Sequence, residues 1–205
     1  CHSGCEIFKV MGDCIMPREG IFARVLKGGV ISEGDEINVV KRPFRAAILT
    51  SSDSGYAGER EDLSGPTIRK ILENNGYEVV HTILLPDDRK MLADEMARIA
   101  DEGIAELIVT TGGTGFSPRD CMPEATKDII EREVPGIPEA MRAYSMTITP
   151  RAMLSRAAAG IRKGTLIVNL PGSPKAVRES LEYIIPALEH GLQILTGEAT
   201  NCARK

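Results

Sequence analysis

Beyond residue 45 the hydrophobic positions switch repeatedly between two spacings. Compact apolar runs at 46–50, 77–85, 105–109 and 165–170 read as buried strands. Between them, apolar residues recur at helical spacing. Ile68, Ile71 and Leu72 follow a start at Ser64 and Pro66, and Leu92, Met96 and Ile99 follow a cap at Asp87 or Asp88. Gly76 suits the position just past the first of these helices, and Gly103 ends the second. Further helices are expected from Pro123 through Ile130, over about 139–146, and from Lys175 to Leu195 with an interruption near Pro186. Residues 51–63 read as a polar loop and 134–138 as irregular. This β–α alternation predicts an α/β fold with three layers, α/β/α, around a mostly parallel sheet.

The first 43 residues follow another pattern. Short β-like pieces at 21–26 and 36–40 are separated by the turn signals Lys27-Gly28-Gly29 and Ser32-Glu33-Gly34-Asp35. So short a segment buries little core by itself. Lys41-Arg42-Pro43 reads as a linker, since proline interrupts strand pairing. The expected organisation is a short N-terminal β segment over 1–43 and an α/β domain over 44–205.

Composition narrows the function classes. A net charge of −4 gives no overall basic signature for nucleic acid, so an anionic ligand must be held by local features. No apolar run reaches the roughly 18 residues of a membrane span, and no signal-peptide pattern opens the chain. Five cysteines, scattered and odd in number, do not form the framework of a small secreted domain, which favours a reducing, cytoplasmic setting. Cys1, Cys5 and Cys14 match no strong zinc spacing. The start at Cys1 suggests the tail of something longer.

The chemistry concentrates in two glycine loops, each after a strand and before a helix. One runs Thr110-Thr111-Gly112-Gly113-Thr114-Gly115-Phe116-Ser117-Pro118-Arg119-Asp120, the other Leu170-Pro171-Gly172-Ser173-Pro174-Lys175. Strand, glycine turn and helix N-terminus present backbone N–H groups to an anion. Neither loop is a Walker A or a dinucleotide fingerprint. Arg119 and Lys175 add positive charge. Asp120 in the first loop and Asp87 after the second strand are candidate Mg²⁺ ligands, because Mg²⁺ is held by one or two carboxylates together with phosphates. Asp53 and Ser54 follow the first strand, at the ligand-facing end of such a sheet. Each feature also has an ordinary explanation: a tight turn, a helix N-cap for either aspartate, a solvated first-turn lysine. His81, His190 and Cys121 read as structural.

The ordered motifs resemble one family. Residues 45–200 are similar to the MogA/MoaB-type molybdopterin-binding domain, and within it to molybdopterin adenylyltransferases. The likeness rests on the 110–115 loop, Ser117-Pro118-Arg119-Asp120, Pro123-Glu124-Ala125-Thr126, Ser155-Arg156-Ala157, the 170–175 loop and Asp62-x-Ser64-Gly65-Pro66. The resemblance implies that the terminal phosphate of molybdopterin attacks the α-phosphorus of ATP, giving adenylylated molybdopterin and pyrophosphate. It implies Asp87 and Asp120 as the functional carboxylates, bridged by Mg²⁺ to the nucleotide. It assigns Thr111, Gly112, Gly113, Thr114, Gly115, Ser117, Arg119 and Glu124 to molybdopterin. Asp53, Ser54, Pro171, Gly172, Ser173 and Lys175 are assigned to the nucleotide. It also implies a homotrimer and contacts with other cofactor-assembly proteins. A pterin-binding carrier without turnover would present the same loops. The run from Arg18 to Leu26, continued in Gly34-Asp35-Glu36-Ile37, resembles the C-terminal end of a MOSC domain, a β-barrel module of molybdenum-cofactor sulfur chemistry.

Overall fold

A computed structural model of the chain describes residues 28–30, 32–36 and 42–197. The chain divides into two compact units, Cys1–Lys41 and Arg42–Lys205. In the first unit the expected turn at Ser32–Asp35 is formed: the Asp35 N–H donates to Ser32 O, and the Ser32 N–H donates to the Asp35 carboxylate at 2.8 Å. The strands expected at 21–26 and most of 36–40, and Cys1, Cys5, Cys14 and Cys202, lie outside the described residues.

The second unit is the α/β domain. In chain order its elements are β1 (Arg45–Ser51), α1 (Asp53–Tyr56), α2 (Ser64–Asn74), β2 (Glu78–Leu85), α3 (Arg89–Asp101), β3 (Leu107–Thr111) and α4 (Met122–Ile129). They continue with β4 (Arg132–Glu133), α5 (Gly136–Met146), a 3₁₀ helix (Pro150–Leu154), β5 (Ala159–Arg162), β6 (Thr165–Leu170) and α6 (Pro174–Leu195). The six-stranded sheet runs β2-β1-β3-β6-β5-β4. The first four strands are parallel to one another, and β5 and β4 continue antiparallel.

The central strands are buried nearly throughout and mostly apolar because both of their faces are covered. Ala46 and Ile48 of β1, Leu107 and Val109 of β3, and Leu166, Val168 and Leu170 of β6 pack against α2, α5 and α6. The alternate residues Ala47, Leu49, Ile108 and Ile167 pack against α3 and α4, through Leu92, Met96, Ile99, Met122 and Ala125. This period-two division builds the expected three layers.

Several local expectations are corrected. The 51–63 stretch contains α1, capped by Ser52, whose Oγ accepts the Gly55 N–H. Residues 136–138, read as irregular, are the first turn of α5, where Pro138 fits because the first N–H groups of a helix lack partners. Helix α6 continues through Pro186. Pro186 and Glu182 are both exposed, so the carbonyl that proline leaves unpaired faces water, while Leu181, Ile184, Ile185 and Leu188 stay buried. Strands β4 and β5 were not anticipated.

The amino ends of the strands are closed by Glu106, which is 7% exposed. Burial pushes its carboxyl up, but hydrogen bonds from Arg45 side chain and backbone and from Arg42 outweigh this and leave it below its ordinary value. The carboxyl ends stay open. Strand β1 continues outward to β2, whereas β3 lies on its other side, so chain direction across the sheet reverses between β1 and β3. Ligands in open α/β sheets bind outside the carboxyl ends of strands at such a reversal.

Candidate functional site

The loops leaving β1, β2, β3 and β6 meet around a cleft of about 380 Å³. Its walls include Ser51 and Ser52, Asp62 and Ser64, Asp87, Gly112 and Gly113, Asp120, and Gly172 to Pro174. The two glycine loops touch. Thr111 Oγ1 donates to Pro171 O at 2.7 Å, and Ser64 Oγ donates to Gly172 O at 2.8 Å. Gly112 lies at φ 90°, and a Cβ there would sit 2.1 Å from Ser51 O. Only glycine allows β3 to turn this close to β1.

The cap at the start of α3 falls to Asp88, whose carboxylate accepts the Met91 N–H at 2.9 Å. Asp87 is thereby spared that task and lines the cleft. Its Oδ1 accepts from Ser51 Oγ at 2.5 Å and its Oδ2 from the Asp53 N–H at 3.1 Å, while its own N–H donates to Asp53 Oδ1 at 3.0 Å. Asp120 is not the cap of α4 either: that position is Cys121, which makes no side-chain capping bond. Asp120 Oδ2 accepts the Ser117 N–H at 3.0 Å, and its N–H donates to Ser117 O at 2.9 Å, a turn that aims the carboxylate into the cleft wall.

Arg119 reaches across the loops. Its Nε and Nη2 donate to both oxygens of Asp53, at 2.9 and 2.8 Å. This fork-to-carboxylate pair, aided by the Asp87 N–H, holds the Asp53 carboxyl below its ordinary value. Ser54 stands beside Ser52, with 3.3 Å between hydroxyl oxygens. Asp62 was quoted above only within a motif. It accepts from Thr50 Oγ1 at 2.7 Å and from the N–H groups of Ser64 and Gly65, both at 2.9 Å, so it pairs the first two N–H groups of α2 and forms part of the wall.

Arg156, likewise quoted above only within a motif, stitches the outer half of the first loop. It donates to Gly115 O and Asp120 O, each at 2.7 Å, and pairs with Glu124. Glu124 is therefore engaged by an arginine and borders a shallower hollow with Phe116, Ser117 and Cys121. Burial, followed by the charge of Asp87, pushes the Cys121 thiol up, in keeping with a packing role. Thr114, Gly115 and Pro171 face a further cavity of about 290 Å³ between the first loop, α5 and α6.

The structure thus gathers Asp87, Asp120, Gly112, Gly113, Gly172 and Ser173 around one cleft, with Thr111 at its base. It does not bring Lys175 there. The Lys175 side chain is 83% exposed and its ammonium lies 3.8 Å from Glu179, one turn along α6. Ser173, expected at the anion site, accepts the Ala176 N–H at 3.2 Å as the N-cap of α6. His81 bonds Glu95 at 2.9 Å, on the strand and helix away from the cleft.

Comparison with known proteins places the chain in a family. The family model described as "Probable molybdopterin binding domain" matches residues 47–190. A molybdopterin adenylyltransferase of Helicobacter pylori (strain J99) is 41% identical over 153 residues, which cover 73% of this chain and 86% of that protein. The molybdopterin biosynthesis enzyme MoaB of Thermus thermophilus is 49% identical, with a TM-score of 0.72, over 75% of this chain and 97% of that one. The tungsten cofactor synthesizing protein MoaB of Pyrococcus furiosus is 35% identical, with a TM-score of 0.69, over 76% of this chain and 99% of that one. With this match across most of the α/β domain, the chain belongs to the molybdopterin-binding domain family of molybdenum cofactor biosynthesis.

Proposed function

We propose that the α/β domain, 44–205, is a molybdopterin adenylyltransferase. An oxygen of molybdopterin's terminal phosphate attacks the α-phosphorus of ATP. The new P–O bond forms as the bond from the α-phosphorus to the bridging oxygen breaks, and pyrophosphate leaves. Such a transfer needs positioning and charge neutralisation more than covalent help. The observation that carries the reading is the convergence of two glycine loops and two carboxylates on one cleft, in a chain 41% identical to an adenylyltransferase.

Asp87 and Asp120 suit Mg²⁺. Both line the cleft. That donor set matches an ion held by two carboxylates and by the substrate's own phosphates. When bound, Mg²⁺ neutralises charge on the nucleotide phosphates. Thr111 through Gly115, with Ser117, Arg119 and Glu124, form the molybdopterin side. Asp53, Ser54, Pro171, Gly172 and Ser173 form the nucleotide side. Arg119 is available to a phosphate once it exchanges Asp53 for it, since the pair is solvent-exposed and cheaply parted. A homotrimer in the cytoplasm, working beside other cofactor-assembly proteins, and a MOSC-like origin for 1–43 complete the proposal. Among the described residues no helix is long and apolar enough to cross a membrane.

Pyrophosphate release from Mg-ATP, with and without molybdopterin, tests the reading beside Asp120→Asn. Release should require the pterin and fall at least about 100-fold in the variant, as when one preorganised electrostatic group is removed, while pterin binding persists. Binding without release by the wild type would make the chain a carrier.

A further inference from the structure

Ser51 ends β1 and is 4% exposed, yet its hydroxyl is directed at the cleft. Nothing in the hydrophobic pattern marks it, because it continues an apolar strand into a polar loop. Its Oγ donates to Asp87 Oδ1 at 2.5 Å. The other Asp87 oxygen accepts the Asp53 N–H at 3.1 Å. The carboxylate is therefore held at both oxygens, by two donors only two residues apart. Ser51 is itself fixed at two more points. It pairs with Leu85 across β1 and β2, and Gly112 crowds its carbonyl so closely that a Cβ would come within 2.1 Å. One buried residue thus links the β1 end, the first glycine loop and the carboxylate after β2.

We infer that Ser51 is a positioning residue for Asp87, setting the plane of the carboxylate before substrates arrive. The inference rests on the adenylyltransferase reading for its kinetic consequence, although not for its geometry. A carboxylate with a fixed plane presents its remaining lone pairs in one direction. A carboxylate free to turn samples orientations that do not serve the reaction, and the loss appears in turnover more than in binding. The methyl group of alanine leaves the strand and its packing unchanged, whereas threonine keeps the hydroxyl on a residue that suits a strand.

The experiment compares wild type, Ser51→Ala and Ser51→Thr in pterin-dependent pyrophosphate release. Ser51→Ala should lower kcat about 10-fold, the lower end of the effect of removing a group that orients a ligating side chain. KM for ATP should stay within about twofold, since the interaction matters in the transition state. Ser51→Thr should recover most of the lost rate. Crystal structures of the two proteins give a second, activity-independent readout: one Asp87 conformer in the wild type, more than one in Ser51→Ala. Wild-type kcat in Ser51→Ala, equal slowing by both variants, or an unchanged Asp87 conformer in Ser51→Ala would each overturn the inference. If the wild type releases no pyrophosphate, the adenylyltransferase reading fails alone, and the Asp87 conformers still decide the role of Ser51.

Discussion

The two glycine loops share a signature, a strand followed by glycine and a helix, but a Cβ would meet different surroundings in each. In the first, a Cβ on Gly112 would lie 2.1 Å from Ser51 O and one on Gly115 would lie 2.8 Å from Asp120 Oδ2. In the second, a Cβ on Gly172 would meet the Gly112 Cα at 3.5 Å, an ordinary contact, and Gly172 has no positive φ. Their charged residues differ as well. Arg119 is drawn to Asp53 after β1, whereas Lys175 lies along α6 beside Glu179. The first loop is shaped by close approach of backbone and carboxylates. The second is mainly a capped helix start, held in place by its neighbours through Thr111 and Ser64.

Matched substitutions test this contrast. Gly112→Ala forces both a disfavoured φ and a collision with backbone that has nowhere to move. It should cost about 3 kcal/mol or more, among the larger effects of single substitutions, and abolish pterin-dependent turnover. Gly172→Ala should cost less than about 1 kcal/mol, since neither penalty applies there. Urea denaturation midpoints of the two variants measure the gap. Equal destabilisation would mean that the loops are sterically alike after all.

The frame that carries the two loops was readable in the chain, the contrast between them was not, and the reason is physical. The central strands were legible because burial on both faces leaves continuous apolar runs, as in 46–50 and 165–170. Strands β4 and β5 were not: Arg132–Glu133 is two exposed residues, and Ala159–Arg162 carries a glycine that matters only because Ile130 packs where its Cβ would be. Asp87 was legible as a carboxylate at a strand end, and Asp120 as one beyond the glycines of the first loop. That Asp88 rather than Asp87 caps α3, that Arg119 pairs with Asp53 66 residues away, and that Arg156 grips the first loop were not. The last two belong to pairs distant in sequence, of which local spacing carries no trace, and the first turns on which of two adjacent aspartates accepts the Met91 N–H three residues on.

A smaller effect separates the support of the loops from the loops themselves. Asn169 sits on β6, just before the second loop, and is fully buried. Its Nδ2 donates to Thr110 Oγ1 at 3.0 Å and to Thr126 Oγ1 at 2.8 Å, and its Oδ1 accepts the Ala158 N–H at 3.1 Å. It thus joins the strand of the second loop to the strand beneath the first and to α4. Asn169→Leu keeps the branching and the number of side-chain heavy atoms but strands these buried groups, which should cost about 2 kcal/mol. The expected loss is seen as a lower denaturation midpoint with an unchanged slope. A neutral result would show that the first loop holds its shape without help from β6.

Lys175→Ala should produce the smallest effect, and it asks whether the second loop has a role in charge recognition. The side chain is largely exposed, and its partner Glu179 stands one turn along the helix at 3.8 Å. Exposed pairs of this spacing contribute about 0.3–0.5 kcal/mol, so stability should change by no more than that. With its ammonium outside the cleft wall, KM for ATP should change by no more than about twofold, the same energy expressed as affinity. A rise of about tenfold in KM would correspond to about 1.4 kcal/mol of binding, more than an exposed helix pair accounts for. It would mean that lysine leaves Glu179 for the nucleotide phosphates, as its position after Pro171-Gly172-Ser173-Pro174 led us to expect from the sequence. The contrast between the loops would then concern only their backbones, and each would carry a cation to a phosphate.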